Sequence, residues 1–371
     1  MFAPVFLAEV GASHGDLPVA ALVLGGVLAM LSPSPRGPVL WGVLTGLAVG
    51  LKPTVAPFVA AGVPVLAARF GIRSLATAAV AGLAGWGVGG GWWAVLLLSR
   101  TGNPFFPMLN DLFQSDWASH EHFFDQGYFP SGIDWIILPL RMAQGGEVSW
   151  FYEWRDARLG VLFIVGSAVA LRGKARTDLH LALVWALVAY LLWLRSSAMV
   201  RYLAPLEAAA PALIAASIVR LAPMRLAHAG VFATLLFGAL WMRPADNERA
   251  PWSDPAIPVQ LPPLPSGSSP VVVTAGDAAN SYLAPSFPRS WRHVRIVSSV
   301  LWHEDETLLH QKASRILETG DPVLLLTGQE GECMPEALTS FGLRADMTRC
   351  APVHSPLDEG VLLCPTRRIN P

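Results

Sequence analysis

The chain has 371 residues, of which 53% are hydrophobic and only 14% charged, where an ordinary soluble domain carries roughly 25% charged residues. A formal net charge of −1 gives no electrostatic reason to expect a nucleic-acid partner. Charge is also unevenly spread. Between about 17 and 99 the only charged residues are Arg36, Lys52, Arg69 and Arg73, whereas beyond 243 mixed charges and short apolar runs return.

A helix that crosses a hydrocarbon core about 30 Å thick needs about 20 largely apolar residues. The apolar runs predict eight transmembrane helices, at 17–33, 38–51, 54–70, 75–98, 157–171, 178–194, 203–219 and 226–242. Lys52-Pro53 separates the second from the third, since proline lacks a donor and disfavours helix in the residue before it. One broken helix is the alternative there. Alternate loops are basic: Arg36, then Arg69 and Arg73, then Arg172, Lys174 and Arg176, then Arg220 and Arg225. By the positive-inside rule these face the cytoplasm. The outside then receives residues 1–16, the Lys52-Pro53 turn, the 99–156 segment, the Arg195–Arg201 turn and everything after 243. Merging two spans breaks this alternation, which favours eight.

The 99–156 segment is too long for an idle connection. It is aromatic-rich and carries Asp111, Asp116, Glu121, Asp125 and Asp134 beside His120 and His122. Within it, Ile133 to Met142 fits an interfacial helix, with Trp135 at headgroup level. A membrane-hugging loop with plain aromatic anchors is the simpler reading. After the transmembrane domain, 1–243, the stretch 244–270 is a Pro-rich linker, extended rather than helical. Residues 271–371 then alternate short apolar runs with helical patterns, which predicts a small three-layer α/β domain with a largely parallel sheet. Its strands are Val271–Thr274, Val294–Val297, Pro322–Thr327 and Val361–Leu363, and its helices Glu304–Glu318 and Pro335–Phe341. TAGDAANSY fits a ligand-binding strand end or, more simply, a strand–turn–helix.

All three cysteines, Cys333, Cys350 and Cys364, fall in this last domain. An oxidising compartment permits one bridge, and Cys333 with Cys350 is the expected pair. No cysteine or histidine spacing marks a metal site. The C-terminal domain shows neither GxGxxG nor a P-loop, and no HExxH or Ser–His–Asp arrangement appears in the chain, which leaves hydrolase readings without support.

Charged groups at the outside helix ends carry the remaining chemistry, because ionisable residues at membrane depth are costly unless satisfied or used. Asp16, after Ser13-His14-Gly15, fits a helix cap or a catalytic acid equally well. Lys52 suits a phosphate or a side chain that snorkels to the interface. Arg155, Asp156 and Arg158 cluster before the fifth span, and Arg195, Arg201 and Tyr202 line the turn after the sixth. Together they predict a basic, outside-facing pocket for an anionic headgroup.

GLAVGLKPT at 46–54, the acid in SHGDLP and RYLAP at 201–205 resemble the GT-C superfamily, polytopic glycosyltransferases that use polyprenyl-phosphate-linked sugars. The chain resembles the protein mannosyltransferase and aminoarabinose transferase types of that superfamily, and the loop TGNPFFPMLNDLFQS and the segment EWRDARLG are similar to segments of uncharacterised bacterial members. The resemblance covers about 1–245. It implies an outside acid acting as base or metal-linked positioner, with cations holding the lipid phosphate leaving group. Carried over, Asp16 takes the role of the acid; Lys52, Arg201 and Tyr202 that of the phosphate holders. Arg155, Arg158, Asp156, Asp125 and His14 are looser candidates. A divalent metal ion is the one cofactor it leaves open. The family's principal acid follows its first helix, and this chain reads as starting after that loop.

The expectation is therefore a multi-pass glycosyltransferase of the bacterial inner membrane, with its active face and C-terminal domain in the periplasm. It would move a sugar from a polyprenyl phosphate to a glycan, lipid or protein acceptor. The alternatives are a non-catalytic envelope-assembly protein and a transporter or flippase for lipid-linked sugars. A transporter should place ionisable residues near the bilayer midplane and show inverted repeats; here charges collect at one face and no repeat is visible.

Overall fold

A computed structural model describes residues 4–10, 14–120, 129–145, 154–172, 177–243, 253–254, 257–263, 270–275, 280–297, 306–319, 323–328 and 335–369. The chain divides into two compact units, Met1–Trp93 with Phe124–Asn247, and Ala94–Phe123 with Glu248–Pro371. The 99–156 segment is thus shared between them rather than belonging to the helical part alone.

The first unit is built of helices. It starts with α1 (Pro4–Glu9), α2 (Asp16–Leu31) and α3 (Gly37–Leu51). Lys52 is extended, with φ −151°, and a 3₁₀ turn over Pro53–Val55 leads into α4 (Ala56–Ala60) and α5 (Gly62–Phe70). The break at Lys52-Pro53 therefore separates two elements, as proline chemistry predicts. Then α6 (Ser74–Trp86) runs through a π-turn at Gly87–Gly91 into α7 (Trp92–Thr101). The short α8 (Asn110–Phe113) follows in the second unit, and the first resumes with α9 (Asp134–Gln144), α10 (Arg158–Leu171) and α11 (Asp178–Ser196). A 3₁₀ turn over Val200–Leu203 then precedes α12 (Ala204–Leu221) and α13 (Met224–Trp241).

Among the described residues, five helical stretches are long and apolar enough to cross a membrane: Pro53–Phe70, Ser74–Thr101, Asp178–Ser196, Val200–Leu221 and Met224–Trp241. Asp16–Leu31, Gly37–Leu51 and Arg158–Leu171 are apolar but shorter. Leu28, Val80, Leu83, Val88, Trp92, Ile164, Phe232 and Leu240 are exposed along these helices. So much contiguous apolar surface is tolerable in lipid and unfavourable in water. This is the surface of a membrane protein.

The core of this unit joins Val19, Val23 and Met30 of α2 to Phe58, Val65 and Leu66, and to Trp185, Tyr190 and Trp193 of α11. Two of its buried indoles find acceptors, Trp185 Nε1 donating to Phe58 O at 2.9 Å and Trp193 Nε1 to Met199 O at 2.9 Å, whereas Trp154 Nε1 is buried without a hydrogen-bond partner. Glycines let α3 lie directly on α6. A Cβ on Gly46 would stand 2.0 Å from Gly82 O, and one on Gly42 2.3 Å from Ala78 O.

The amphipathic α9 begins one residue after the predicted Ile133 and leaves Ile133, Trp135, Ile136 and Leu140 exposed while burying Leu138 and Met142.

The second unit holds a six-stranded sheet of β1 (Val271–Thr274), β2 (Arg292–Arg295), β3 (Val323–Thr327), β4 (Leu343–Ala345), β5 (Ala351–Ser355) and β6 (Asp358–Arg368). The order is β2-β1-β3-β6-β4, with β5 also pairing β6. Only β2, β1 and β3 are parallel; β3, β4 and β5 all meet β6 antiparallel. The expected largely parallel sheet is therefore mixed, because β5 and β6 form a hairpin that the apolar runs did not reveal. The sheet's two faces follow the period of a strand. Val271, Val273 and Leu325 pack with Ala313 and Leu317 of α14 (Leu308–Glu318) and with Ala337 and Leu338 of α15 (Pro335–Thr339). Val272, Leu324 and Leu326 pack with Leu283 and Phe287 on the other face.

Cys350 pairs with Cys364, 14 residues apart, across the β5–β6 hairpin, and not with Cys333. The register places the two opposite each other, next to Ala351 and Leu363. Cys333 lies outside the described residues.

The early part of this unit is tied by two asparagines. Asn103 Nδ2 donates to Met108 O at 2.9 Å, and Asn110 Nδ2 to Ser115 O at 2.9 Å and Ser119 O at 3.0 Å. Leu308 N donates to Asp116 O at 2.8 Å, and Lys312 Nζ lies 4.0 Å from the centroid of Trp117. The NPFFPMLND stretch is thus an ordered turn built on side-chain amides.

Candidate functional site

The charged residues of the helical unit gather at two ends. At one, Arg69 at the end of α5 pairs with Asp178 at the start of α11 and donates to Ser32 O at the end of α2. Arg172, after α10, donates to Leu221 O at the end of α12 at 2.8 Å. At the other lie the start of α2, the end of α3, the start of α10 and the start of α12, and this end holds the candidate site.

Gly15, at φ +73°, turns the chain sharply into α2, a conformation open to glycine at little cost. Asp16 follows, 3% exposed. It makes no cap bond to the helix; instead Oδ1 accepts from Lys52 Nζ at 2.5 Å. Lys52 also donates to His14 O at 3.0 Å, and its ammonium lies 5.2 Å from the centroid of the Tyr202 ring, within cation–π range. The extended backbone of Lys52 at the end of α3 directs the side chain across to α2. Arg201 Nη2 donates to Tyr202 Oη at 3.2 Å, and its Nε is buried with no hydrogen-bond partner. Ala198, at φ +51°, turns the chain between α11 and this pair; a non-glycine residue there carries strain of about 1 kcal/mol.

Glu9 and His14 complete this cluster. Glu9, at the end of α1, is 4% exposed, and His14 Nδ1 lies 3.2 Å from Oε1 and 3.1 Å from Oε2. Ligating atoms of Glu9, His14 and Asp16 all lie within 4.8 Å of one another.

A second charged group meets the start of α1. Arg158 bonds Asp156 through Nε at 2.9 Å and Nη2 at 2.7 Å, and its Nη2 also bonds Glu207 Oε1 at 2.5 Å. Glu207 Oε1 in turn accepts from Val5 N at 3.1 Å. The side chains of Arg158, Asp156 and Glu207 are 5%, 1% and 2% exposed. Two carboxylates compensate the guanidinium's charge, although Arg158 Nη1 and Glu207 Oε2 are buried without a hydrogen-bond partner.

The structure therefore brings Asp16, His14, Lys52, Tyr202 and Arg201 together, and keeps Arg158 and Asp156 in a separate buried triad. Arg155 stands apart from both: its Nε donates to Trp241 O at 3.0 Å and its guanidinium lies 4.4 Å from the centroid of the Trp241 ring. Asp125 lies outside the described residues. Sequence reasoning missed Glu9 and Glu207. Glu207 carried a readable signal, an acid within an otherwise apolar helix; Glu9 carried none, since nothing in the local sequence marks its approach to His14.

No family model, no curated protein and no solved structure matches the chain.

Proposed function

We propose that the chain is a polytopic membrane glycosyltransferase of the GT-C kind, with eight membrane-spanning helices. It transfers a sugar from a polyprenyl phosphate to a cell-envelope acceptor at the periplasmic face of a bacterial inner membrane. One observation carries the reading. The Lys52 ammonium, the Asp16 carboxylate and the Arg201–Tyr202 pair, far apart in sequence, meet at one end of the helical unit. There a carboxylate can accept the acceptor's proton while Lys52 and Arg201 stabilise the charge that develops on the departing phosphate. The Cys350–Cys364 disulfide supports an oxidising compartment for the C-terminal unit.

A second reading, a non-catalytic envelope-assembly protein, is favoured by a different observation. Lys52 and Arg158 each close on a carboxylate of the chain itself, as structural ion pairs do.

The two separate in one assay. The full chain in lipid nanodiscs is given a labelled polyprenyl-phosphate sugar and an envelope extract as acceptor source. Asp16→Asn, Lys52→Gln and Arg201→Gln are each expected to lower transfer at least about 100-fold, with melting temperatures recorded alongside. Unchanged rates in all three, or no transfer by the unaltered chain, would reject the transferase reading in favour of the second.

A further inference from the structure

We infer that Glu9, His14 and Asp16 form a binding site for one divalent transition-metal ion of the zinc class. The inference stands on the geometry of these residues and holds whether or not the chain transfers sugars.

One ligating atom from each residue lies within 4.8 Å of the other two. The spacing within the group is the sharper observation. Two ligands bound at about 2.0–2.1 Å to a tetrahedral ion stand about 3.3 Å apart, and His14 Nδ1 lies 3.1 and 3.2 Å from the Glu9 oxygens. A metal ion can therefore replace the proton that this pair shares, with little movement of either side chain. Asp16 supplies an independent observation. Its Oδ2 is buried with no hydrogen-bond partner, although the residue is only 3% exposed. A buried carboxylate oxygen left without a partner is costly, and a cation removes that cost.

Lys52 does not close the site. Its ammonium takes Oδ1 and leaves Oδ2 without a hydrogen-bond partner, so the carboxylate keeps an oxygen for a metal ion. Two carboxylates and one ammonium leave one negative charge beside a neutral imidazole, which still attracts a divalent ion. The ligand set also discriminates. Imidazole with two carboxylates suits zinc, whereas magnesium and calcium prefer oxygen ligands alone. Access is from the His14 side, where that side chain is 44% exposed while Glu9 and Asp16 are buried. Three protein ligands leave a fourth position for water, the pattern of an open rather than a closed zinc site.

The test uses the full chain in nanodiscs, stripped with a chelator and titrated with zinc chloride against a chromogenic zinc indicator; bound metal is counted by mass spectrometry. One zinc per chain is expected, with a rise in melting temperature and no displacement by millimolar magnesium. His14→Ala, at the most exposed ligand, should weaken zinc at least about 10-fold and abolish the rise, each read against that variant's own metal-free melting temperature. Glu9→Gln should weaken binding similarly; if it does not fold, His14→Ala decides alone. The inference is overturned if the unaltered chain binds no stoichiometric zinc, or if His14→Ala binds it equally well. No sugar donor enters this experiment, so its outcome is separate from that of the transfer assay.

Discussion

Arg158 shows how a charge survives beside apolar helices. It is held by Asp156 two residues before it and by Glu207 from the next helix but one. Removing one partner of such a buried group leaves the rest uncompensated, at a cost of about 3–5 kcal/mol. Arg158→Leu should therefore destabilise the helical unit by about that amount. Asp156→Asn and Glu207→Gln added to it should recover much of the loss. Thermal unfolding in detergent micelles checks both; an unaltered melting temperature in Arg158→Leu would show that the triad contributes nothing. At this scale the sequence was half legible. Asp16 and Lys52 stand out because each is a charge beside long apolar runs. Their pairing is not readable from spacing, because the partners are 36 residues apart. The same holds for Glu207, whose partners Arg158 and Val5 are 49 and 202 residues away.

Among the elements, the contact of α3 with α6 rests on the absence of side chains. Gly42, Gly46 and Gly50 recur every four residues, so they share a face of α3, and each would place a Cβ within 2.8 Å of a backbone atom of the facing helix. A Cβ on Gly82, by contrast, would meet nothing nearer than 3.5 Å. Gly46→Ala should thus force the helices apart and cost about 1–3 kcal/mol, while Gly82→Ala should be close to neutral. Equal melting temperatures for the two variants would contradict this packing. Helix limits were legible because apolar runs, Pro53 and the basic loops punctuate them. The sheet was less so. Only Val361–Leu363 of β6 reads as a strand, since its later part, Thr366-Arg367-Arg368, is polar and pairs with the short β4. Edge pairing leaves no apolar alternation to read, and so β4, β5 and the antiparallel half went unseen.

For the molecule as a whole, helix ends and chain order agree on a two-sided arrangement. Arg69, Asp178 and Arg172 close one end of the helical unit. Asp16, Lys52, Arg201 and the Arg158 triad mark the other, where α13 also finishes, with Trp241 O bonded to Arg155. The basic loops predicted this separation, because a charge rule applied to alternate loops is a statement about ends and needs no contact to be known. The claim that matters most is that the Lys52 end receives a lipid phosphate. Binding of a polyprenyl phosphate to the full chain in nanodiscs, followed by native mass spectrometry, measures it without any acceptor. The account predicts saturable binding that Lys52→Gln and Arg201→Gln each weaken at least about 10-fold, the loss of one charge-assisted contact. Equal affinity in both variants, or no binding by the unaltered chain, would contradict it.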